Sequence, residues 1–140
     1  MTQFSVPDLK ESPILEVTYD NRELVKVRGN HGYSYGYLLS SAEDKWLFPN
    51  RPVSIDTGIS IRIPDNTIAL ATGSPWVFEE DGIIVHPQIF PDDSNIYLTI
   101  SSVGILPKKL KKGTYIGILT IISNVECELI QHRNNEDDLE

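Results

Sequence analysis

Apolar residues in this chain recur at every second position in short runs, and no segment of helical length shows apolar spacing of three and four residues. The clearest run spans residues 53–64 and ends in the turn signal Pro64-Asp65-Asn66. Its period of two predicts a half-buried strand. One face of that strand would carry Ile55, Thr57, Ile59, Ile61 and Ile63.

Further short runs, rich in β-branched residues and separated by Gly, Pro, Asn and Asp, predict an all-β sandwich or barrel. The run at 115–122 is apolar on both faces, which predicts a central strand. The first two runs flank Asp20-Asn21-Arg22 and predict a hairpin. The predicted strands are 14–19, 23–28, 33–41, 46–48, 53–64, 67–71, 83–85, 96–102, 115–122 and 127–131.

Charge and hydropathy narrow the class of partner. The 140 residues carry a net charge of −8, which argues against a surface that coats nucleic acid. The one basic cluster, 108–112, is interpreted as a solvated turn, with phosphate contact as the alternative. No apolar run reaches the roughly 18 residues of a membrane span. The N-terminal residues show no secretory signal, so we expect an intracellular or virion location and no membrane partner.

Few residues suggest local chemistry. The single cysteine, Cys127, excludes an internal disulfide and is expected to be a buried structural thiol. The three histidines are too scattered for a metal pair, so no metal site is predicted. Glu79, Glu80 and Asp81 are interpreted as a solvated turn. The aromatic residues Trp46, Trp76 and Phe78 are expected in the core, the alternative being exposed anchors for a partner.

Five segments, in order and at suitable intervals between residues 35 and 122, resemble motifs of the dUTPase and dCTP deaminase superfamily. The strongest is Asp56-Thr-Gly-Ile within "DTGI-x-I-x-IP". The resemblance implies an all-β subunit of the dUTPase-like barrel or jelly-roll type that forms a homotrimer, with active sites at subunit interfaces. The other four segments are Tyr35-Gly-Tyr-Leu-Leu, Ala71-Thr-Gly-Ser-Pro75, Gly82-Ile-Ile-Val85 and Leu110-Lys-Lys-Gly-Thr-Tyr-Ile-Gly-Ile-Leu119.

The first and second motifs of the resemblance lack most of their chemistry. Leu38 stands where the family has the acid that helps to hold the magnesium-triphosphate. Gly73 replaces the arginine that contacts phosphate, and Pro75 replaces the glycine whose N–H is a donor. Ser74 matches the family's serine. It is the candidate nucleotide-binding residue, although serine before proline in a turn is common.

The third motif is equally altered. On the straight alignment Pro91 replaces the aspartate that activates water, and Ser94 replaces the tyrosine that stacks under deoxyribose. A slip of one residue would bring Asp92 into the place of the acid. Asp92 and Asp93 are therefore the candidate catalytic residues, the alternative being an ordinary Pro-Asp-Asp-Ser turn.

The remaining motifs also depart from the family. Thr114 and Ile118 stand at the fourth-motif Asp and Gln, and Thr99 replaces the glutamate of the deaminase branch. A Gly-rich closing arm is absent, because residues 131–138 are too acidic to cradle triphosphate.

The expected organisation is an N-terminal hairpin extension over residues 1–30, packed on the core, followed by a dUTPase-like β domain over 31–131. Residues 132–140 are acidic and are expected to be a disordered tail.

The expected function is that of a non-catalytic, dUTPase-like homotrimer that acts as an interaction or structural module, of viral or phage type by analogy, either accessory or decorating a virion. No cofactor is expected. The alternative is a divergent protein that binds or hydrolyses deoxynucleoside triphosphates with Mg²⁺, through Ser74 and Asp92 or Asp93. A third option is an unrelated jelly-roll domain.

Overall fold

The computed structural model describes residues 13–28 and 34–134. The predicted turn at 29–32 and most of the predicted acidic tail lie outside these residues. The described part contains one helix, α1 (Pro75–Asp81), and eleven strands. The strands are β1 (Glu16–Tyr19), β2 (Val25–Arg28), β3 (Ser34–Ser40), β4 (Lys45–Leu47), β5 (Val53–Arg62), β6 (Thr67–Gly73), β7 (Ile83–Val85), β8 (Gln88–Phe90), β9 (Ser94–Ser102), β10 (Lys108–Leu110) and β11 (Tyr115–Ser123).

Two antiparallel sheets and a small strand pair make up the fold. One sheet has the order β1-β5-β9-β7 and the other the order β2-β3-β11-β6-β8, while β4 pairs with β10. Buried side chains from both sheets form one hydrophobic core, which confirms the predicted all-β class. Fully buried members include Leu39, Ile55, Ile61, Ile96, Leu98, Ile100, Ile116 and Leu119.

Strand β5 has the predicted alternation. Ile55, Ile59 and Ile61 are buried, and the hydroxyl of Thr57 donates a hydrogen bond of 2.6 Å to the carbonyl of Ile96. The register against β9 shifts between Asp56 and Ile59, which marks a bulge. The long alternating run thus forms one wall of the core.

Strand β11 lies between β3 and β6, so the predicted central position is confirmed. Its residues pair with both neighbours, because a strand that is apolar on both faces avoids the edge of a sheet.

The predicted N-terminal hairpin is wrong in its pairing. β1 pairs with β5, and β2 pairs with β3, so the two strands belong to different sheets. Leu15, Val17 and Leu24 pack against the core from these positions. A two-stranded hairpin alone is marginally stable in water, whereas the two sheets each offer a long edge for pairing.

Helix α1 was not predicted. Its seven residues are too few to show a helical period, but both ends carry sequence signals. A proline occupies the first turn, and Gly82 ends the helix at φ 65°, donating from its N–H to the carbonyl of Phe78 at 2.9 Å. The acidic residues 79–81 therefore lie on this helix rather than in a turn.

The predicted strand at 127–131 is absent, and residues 124–134 form no strand. The alternation Val-Glu-Cys-Glu-Leu favours a strand, but no strand among the described residues pairs with it. Cys127 is exposed, which corrects the expected buried thiol. None of the helical residues in the described ranges forms a helix long and apolar enough to cross a membrane.

Candidate functional site

The positions of the first, second and fourth motifs meet on three neighbouring strands. Leu38 on β3 is directly opposite Ile118 on β11, and Ile118 is opposite Thr72 on β6. The three residues form one row across the five-stranded sheet, which we call the cross-strand row.

The cross-strand row faces away from the core. Leu39, Leu119 and Ala71, each next to a member of the row, are fully buried in the core. Because side chains alternate along strands, the row points to the opposite face, where all three members are half-buried. The geometry of the fold therefore brings the motif positions together and supplies no carboxylate, amide or cation there.

Gly73 follows the row at the end of β6, opposite Gly117. A Cβ built on Gly73 would lie 3.2 Å from the Cβ of Val85, so the backbone here packs closely against β7. Any side chain at this position, including the arginine of the resemblance, would require Val85 to move by a few tenths of an ångström.

Ser74 precedes helix α1 and is 1% exposed. Its backbone N–H approaches the carbonyl of Ile116 at 3.5 Å, but its side chain makes no capping bond to the helix. Among the groups that the structure describes, its Oγ has no hydrogen-bond partner. A buried hydroxyl without a partner is uncommon in native proteins and calls for an explanation.

The turn between β10 and β11 contacts the residue that follows β3 and the loop between β1 and β2. Gly113 donates from its N–H to the carbonyl of Ser41 at 2.8 Å, and Ser41 donates to the carbonyl of Thr114 at 2.9 Å. Arg22, from the loop between β1 and β2, donates to the carbonyl of Gly113 and lies over the ring of Tyr115 at 4.4 Å. The N-terminal extension therefore contacts the fourth-motif turn.

Asp92 and Asp93 lie in the turn between β8 and β9. The carboxylate of Asp92 accepts a hydrogen bond of 2.7 Å from the backbone N–H of Ile63 and lies 3.9 Å from the Nε of Arg62. Asp93 is exposed and has φ 63°, a conformation that aspartate tolerates better than most residues. These contacts attach the turn to the end of β5.

The candidate residues are not brought together within one chain. In the β6–β8 register Ala69 is opposite Phe90, so the Asp92 turn lies beside the start of β6. Ser74 lies beyond the other end of that strand, about 20 Å away at 3.3 Å per residue. A shared site would need a second subunit, as the resemblance implies for the family.

A shallow depression of about 280 Å³, which we call the Ser74 bowl, lies beside Ser74. It is lined by Gly73, Ser74, Phe78, Ile83, Ile84 and Val85. Phe78 is 52% exposed on its rim, contrary to the expectation that it lies in the core.

The other two aromatic residues expected in the core, Trp46 and Trp76, are also exposed. In each short element an aliphatic neighbour takes the buried place: Leu47 in β4, and Val77 in helix α1. Period and composition do not fix which face of a three-residue strand or a two-turn helix is buried. The alternative reading, exposed anchors, fits their accessibility.

The residues do not fit a magnesium-triphosphate group at the cross-strand row. Mg²⁺ requires oxygen ligands, and Leu38 and Ile118 offer none. Within the described ranges, no group of three or more His, Cys, Asp or Glu side chains is placed to hold a metal ion. Gly73 supplies no cation for phosphate.

No family model matches the sequence, and no curated protein matches it. Solved structures of phage dUTPases do match. A point mutant of the Staphylococcus bacteriophage 80alpha dUTPase has a TM-score of 0.69 at 20% identity, over 86% of this chain and 97% of that chain. A second mutant of that enzyme, with dUpNHpp, gives 0.70 at 20% identity, over 88% and 98%.

A mutant dUTPase from phage phi11 of S. aureus, described for its structural Mg(II) ion, has a TM-score of 0.70 at 19% identity. The match covers 88% of this chain and 99% of that chain. TM-scores of about 0.7 establish the fold, and at about 20% identity the likeness shows the fold alone. The alignment spans nearly the whole of each phage enzyme. The chain therefore has the all-β dUTPase-like fold, with phage dUTPases among its structural neighbours.

Proposed function

We propose that this protein is a non-catalytic, dUTPase-like homotrimer that acts as an interaction or structural module, in a phage or related viral context. The fold and its phage neighbours support the broad class. The observation that carries the non-catalytic part is the cross-strand row, because it places Leu38 and Ile118 side by side, and the resemblance aligns these two residues with an acid and an amide.

Triphosphate hydrolysis in this fold depends on a metal ion and on cations positioned around the phosphates. Leu38 and Ile118 are hydrocarbon, and Thr72 offers one hydroxyl. Ser74 offers a second hydroxyl. Two neutral hydroxyls do not replace a metal-bound carboxylate and a bidentate guanidinium. The arrangement therefore favours a protein without this chemistry.

The outer face of the five-stranded sheet supports the homotrimer. An antiparallel sheet that faces water on one side normally alternates apolar and polar residues. Here the alternate, outward positions are mostly aliphatic, and an apolar surface of this kind indicates a partner. A second and third copy of the chain are the partners that the resemblance implies. The aliphatic outward positions are Val25, Val27, Leu38, Ile68, Leu70, Ile89, Ile118 and Ile122.

Two solution measurements test this proposal. Sedimentation equilibrium should give three times the 15.8 kDa chain mass. Calorimetric titration with dUTP and dCTP in the presence of Mg²⁺ should show no binding at millimolar concentration. A monomer would contradict the homotrimer, and magnesium-dependent binding that Ser74→Ala removes would favour the alternative, a divergent nucleotide-binding protein.

A further inference from the structure

The Ser74 bowl lies where the second motif of the resemblance has its phosphate contacts, but its chemistry differs. Ile83 and Val85 are buried in its wall, whereas Phe78 and Ile84 are exposed at its surface. No lysine or arginine lines it. A wall of this composition binds hydrocarbon and gives a phosphate group no charge partner.

The size of the bowl matches one large side chain. Its volume of about 280 Å³ is below the roughly 300–1,000 Å³ of most small-molecule sites. It is shallow and open at the surface, as a docking place for a protruding residue would be. Anchors of this kind are commonly Trp, Tyr or Arg at protein interfaces.

Ser74 adds a polar requirement. Ser74 is one of the residues that line the bowl, is 1% exposed, and has an Oγ without a partner in the part of the chain that the structure describes. A hydroxyl both donates and accepts, so it can pair with the N–H of an indole or the O–H of a phenol. A Trp or Tyr side chain has this combination of an apolar body and a polar tip.

The helix beside the bowl is acidic. Glu79 and Glu80 directly follow Phe78, are exposed, and have no ion-pair partner among the described residues. Asp81 comes next, and there Lys108 donates to its backbone carbonyl. A partner with positive charge beside its anchor would be attracted to this surface.

Two segments of the described part of the chain do not suit this surface. The exposed segment 124–134 carries Glu126 and Glu128, which would repel Glu79 and Glu80. The basic run at 108–112 is held in β10 and the following turn, with Leu110 buried, so it is not available as an inserted segment. The charge pattern therefore favours a different protein as the occupant.

We propose that the Ser74 bowl docks a tryptophan or tyrosine side chain carried by a basic segment of a partner protein. This inference rests on the proposed function as an interaction module and names the chemistry of its partner. The aromatic body lies against Phe78, Ile84 and Val85, and its polar tip bonds to Ser74 Oγ. Basic residues on either side face Glu79 and Glu80.

The probe is a fluorescein-labelled peptide, Lys-Lys-Trp-Lys-Lys, titrated with the full chain and followed by fluorescence anisotropy. We expect saturable binding that weakens about tenfold or more when the peptide's Trp is replaced by Ala. A peptide with Leu in place of Trp measures the contribution of apolar contact to binding, because leucine has no polar tip.

Variants of the protein assign the surface. Phe78→Ser should weaken binding about tenfold, whereas Phe48→Ser, at a residue 47% exposed elsewhere, should not change it. Glu79→Lys with Glu80→Lys should weaken binding and reduce its salt dependence, and Glu126→Lys with Glu128→Lys should do neither. Ser74→Ala should weaken binding of the Trp peptide but not binding of the Leu peptide.

The outcomes separate this inference from the proposed function. Absence of saturable binding at millimolar peptide, or equal losses in Phe78→Ser and Phe48→Ser, would overturn the docking site and leave the non-catalytic homotrimer standing. Displacement of the peptide by dUTP with Mg²⁺ would overturn both.

A change in sedimentation mass in Phe78→Ser would assign the bowl to a second copy of the chain instead, and would also overturn the docking site. If Phe78→Ser fails to fold by circular dichroism, the variant with both glutamates replaced decides, because those residues are exposed and make no core contact.

Discussion

Strands β5 and β9 on one side of the core, and the cross-strand row on the other sheet, both correspond to motif segments of the resemblance. In β5 and β9 the buried residues Ile55, Leu98 and Ile100 fill the core in the pattern that the fold requires. In the cross-strand row the outward positions carry Leu38 and Ile118, which the resemblance aligns with an acid and an amide. Packing and chemistry therefore depend on different positions, and the second set can change while the first maintains the fold.

The largest effect on stability is expected when a core side chain is truncated. Leu98→Ala removes a side chain that is 0% exposed and should lower the free energy of unfolding by about 3 kcal/mol, because a cavity is left behind. Tyr97→Ala, at the neighbouring 46%-exposed residue, should cost about 1 kcal/mol or less. Urea unfolding measures both, and similar losses would mean that β9 does not face the core as described.

The next effect tests the close approach of β3 and β11 beneath the cross-strand row. A Cβ on Gly36 would overlap the carbonyl oxygen of Leu119, and φ is 133°. Gly36→Ala should therefore cost about 3 kcal/mol. Gly104 also has a positive φ, of 113°, but a Cβ built there meets no atom within 4 Å. Gly104→Ala should therefore lower the free energy of unfolding by only about 1 kcal/mol. Equal thermal shifts would contradict this packing.

Charge in the cross-strand row tests whether its apolar character serves assembly. Leu38→Asp should leave the chain folded, because the residue is half-buried on the outer face, but it should weaken trimer association by about tenfold or more. Ser54→Asp, on the exposed face of β5, is the matched control and should associate as the parent does. Sedimentation velocity across a dilution series distinguishes them. If Leu38→Asp forms the same trimer as the parent, the outer face of the sheet does not take part in trimer assembly.

The smallest effect concerns the third-motif turn. Asp92→Asn weakens the acceptor for the N–H of Ile63 and removes the charge facing Arg62, so it should cost about 1 kcal/mol. Asp93→Asn should lie within about 0.5 kcal/mol of the parent, since asparagine tolerates a positive φ. Chemical unfolding compares the two. If Asp93→Asn lowers the free energy of unfolding more than Asp92→Asn does, then Asp93, and not Asp92, holds the turn to the end of β5.

The length of each strand or helix decided how well it could be predicted from the sequence. β5 and β11 extend over nine or ten residues, enough for a period to be unambiguous. Helix α1, with seven residues, was missed, and the sheets that accept β1 and β2 depend on contacts between distant segments that local patterns do not encode.

The candidate site was predictable only in part. The resemblance identified Leu38, Gly73 and Ile118 as altered positions, but their adjacency depends on the order β3-β11-β6, which no spacing rule supplies. The Ser74 bowl was not predicted, because the exposure of Phe78 is set by the burial of Val77 beside it. The sequence offered one indication of the bowl, which was the alternative interpretation of the aromatic residues as exposed anchors for a partner.

The most direct measurement is pyrophosphate release from dUTP, dCTP and the other deoxynucleoside triphosphates with Mg²⁺ at high protein concentration. A non-catalytic protein predicts no release above the control without protein, for any of these substrates. Release from one substrate that Asp92→Asn or Asp93→Asn abolishes would contradict the account and place a catalytic base in the turn between β8 and β9.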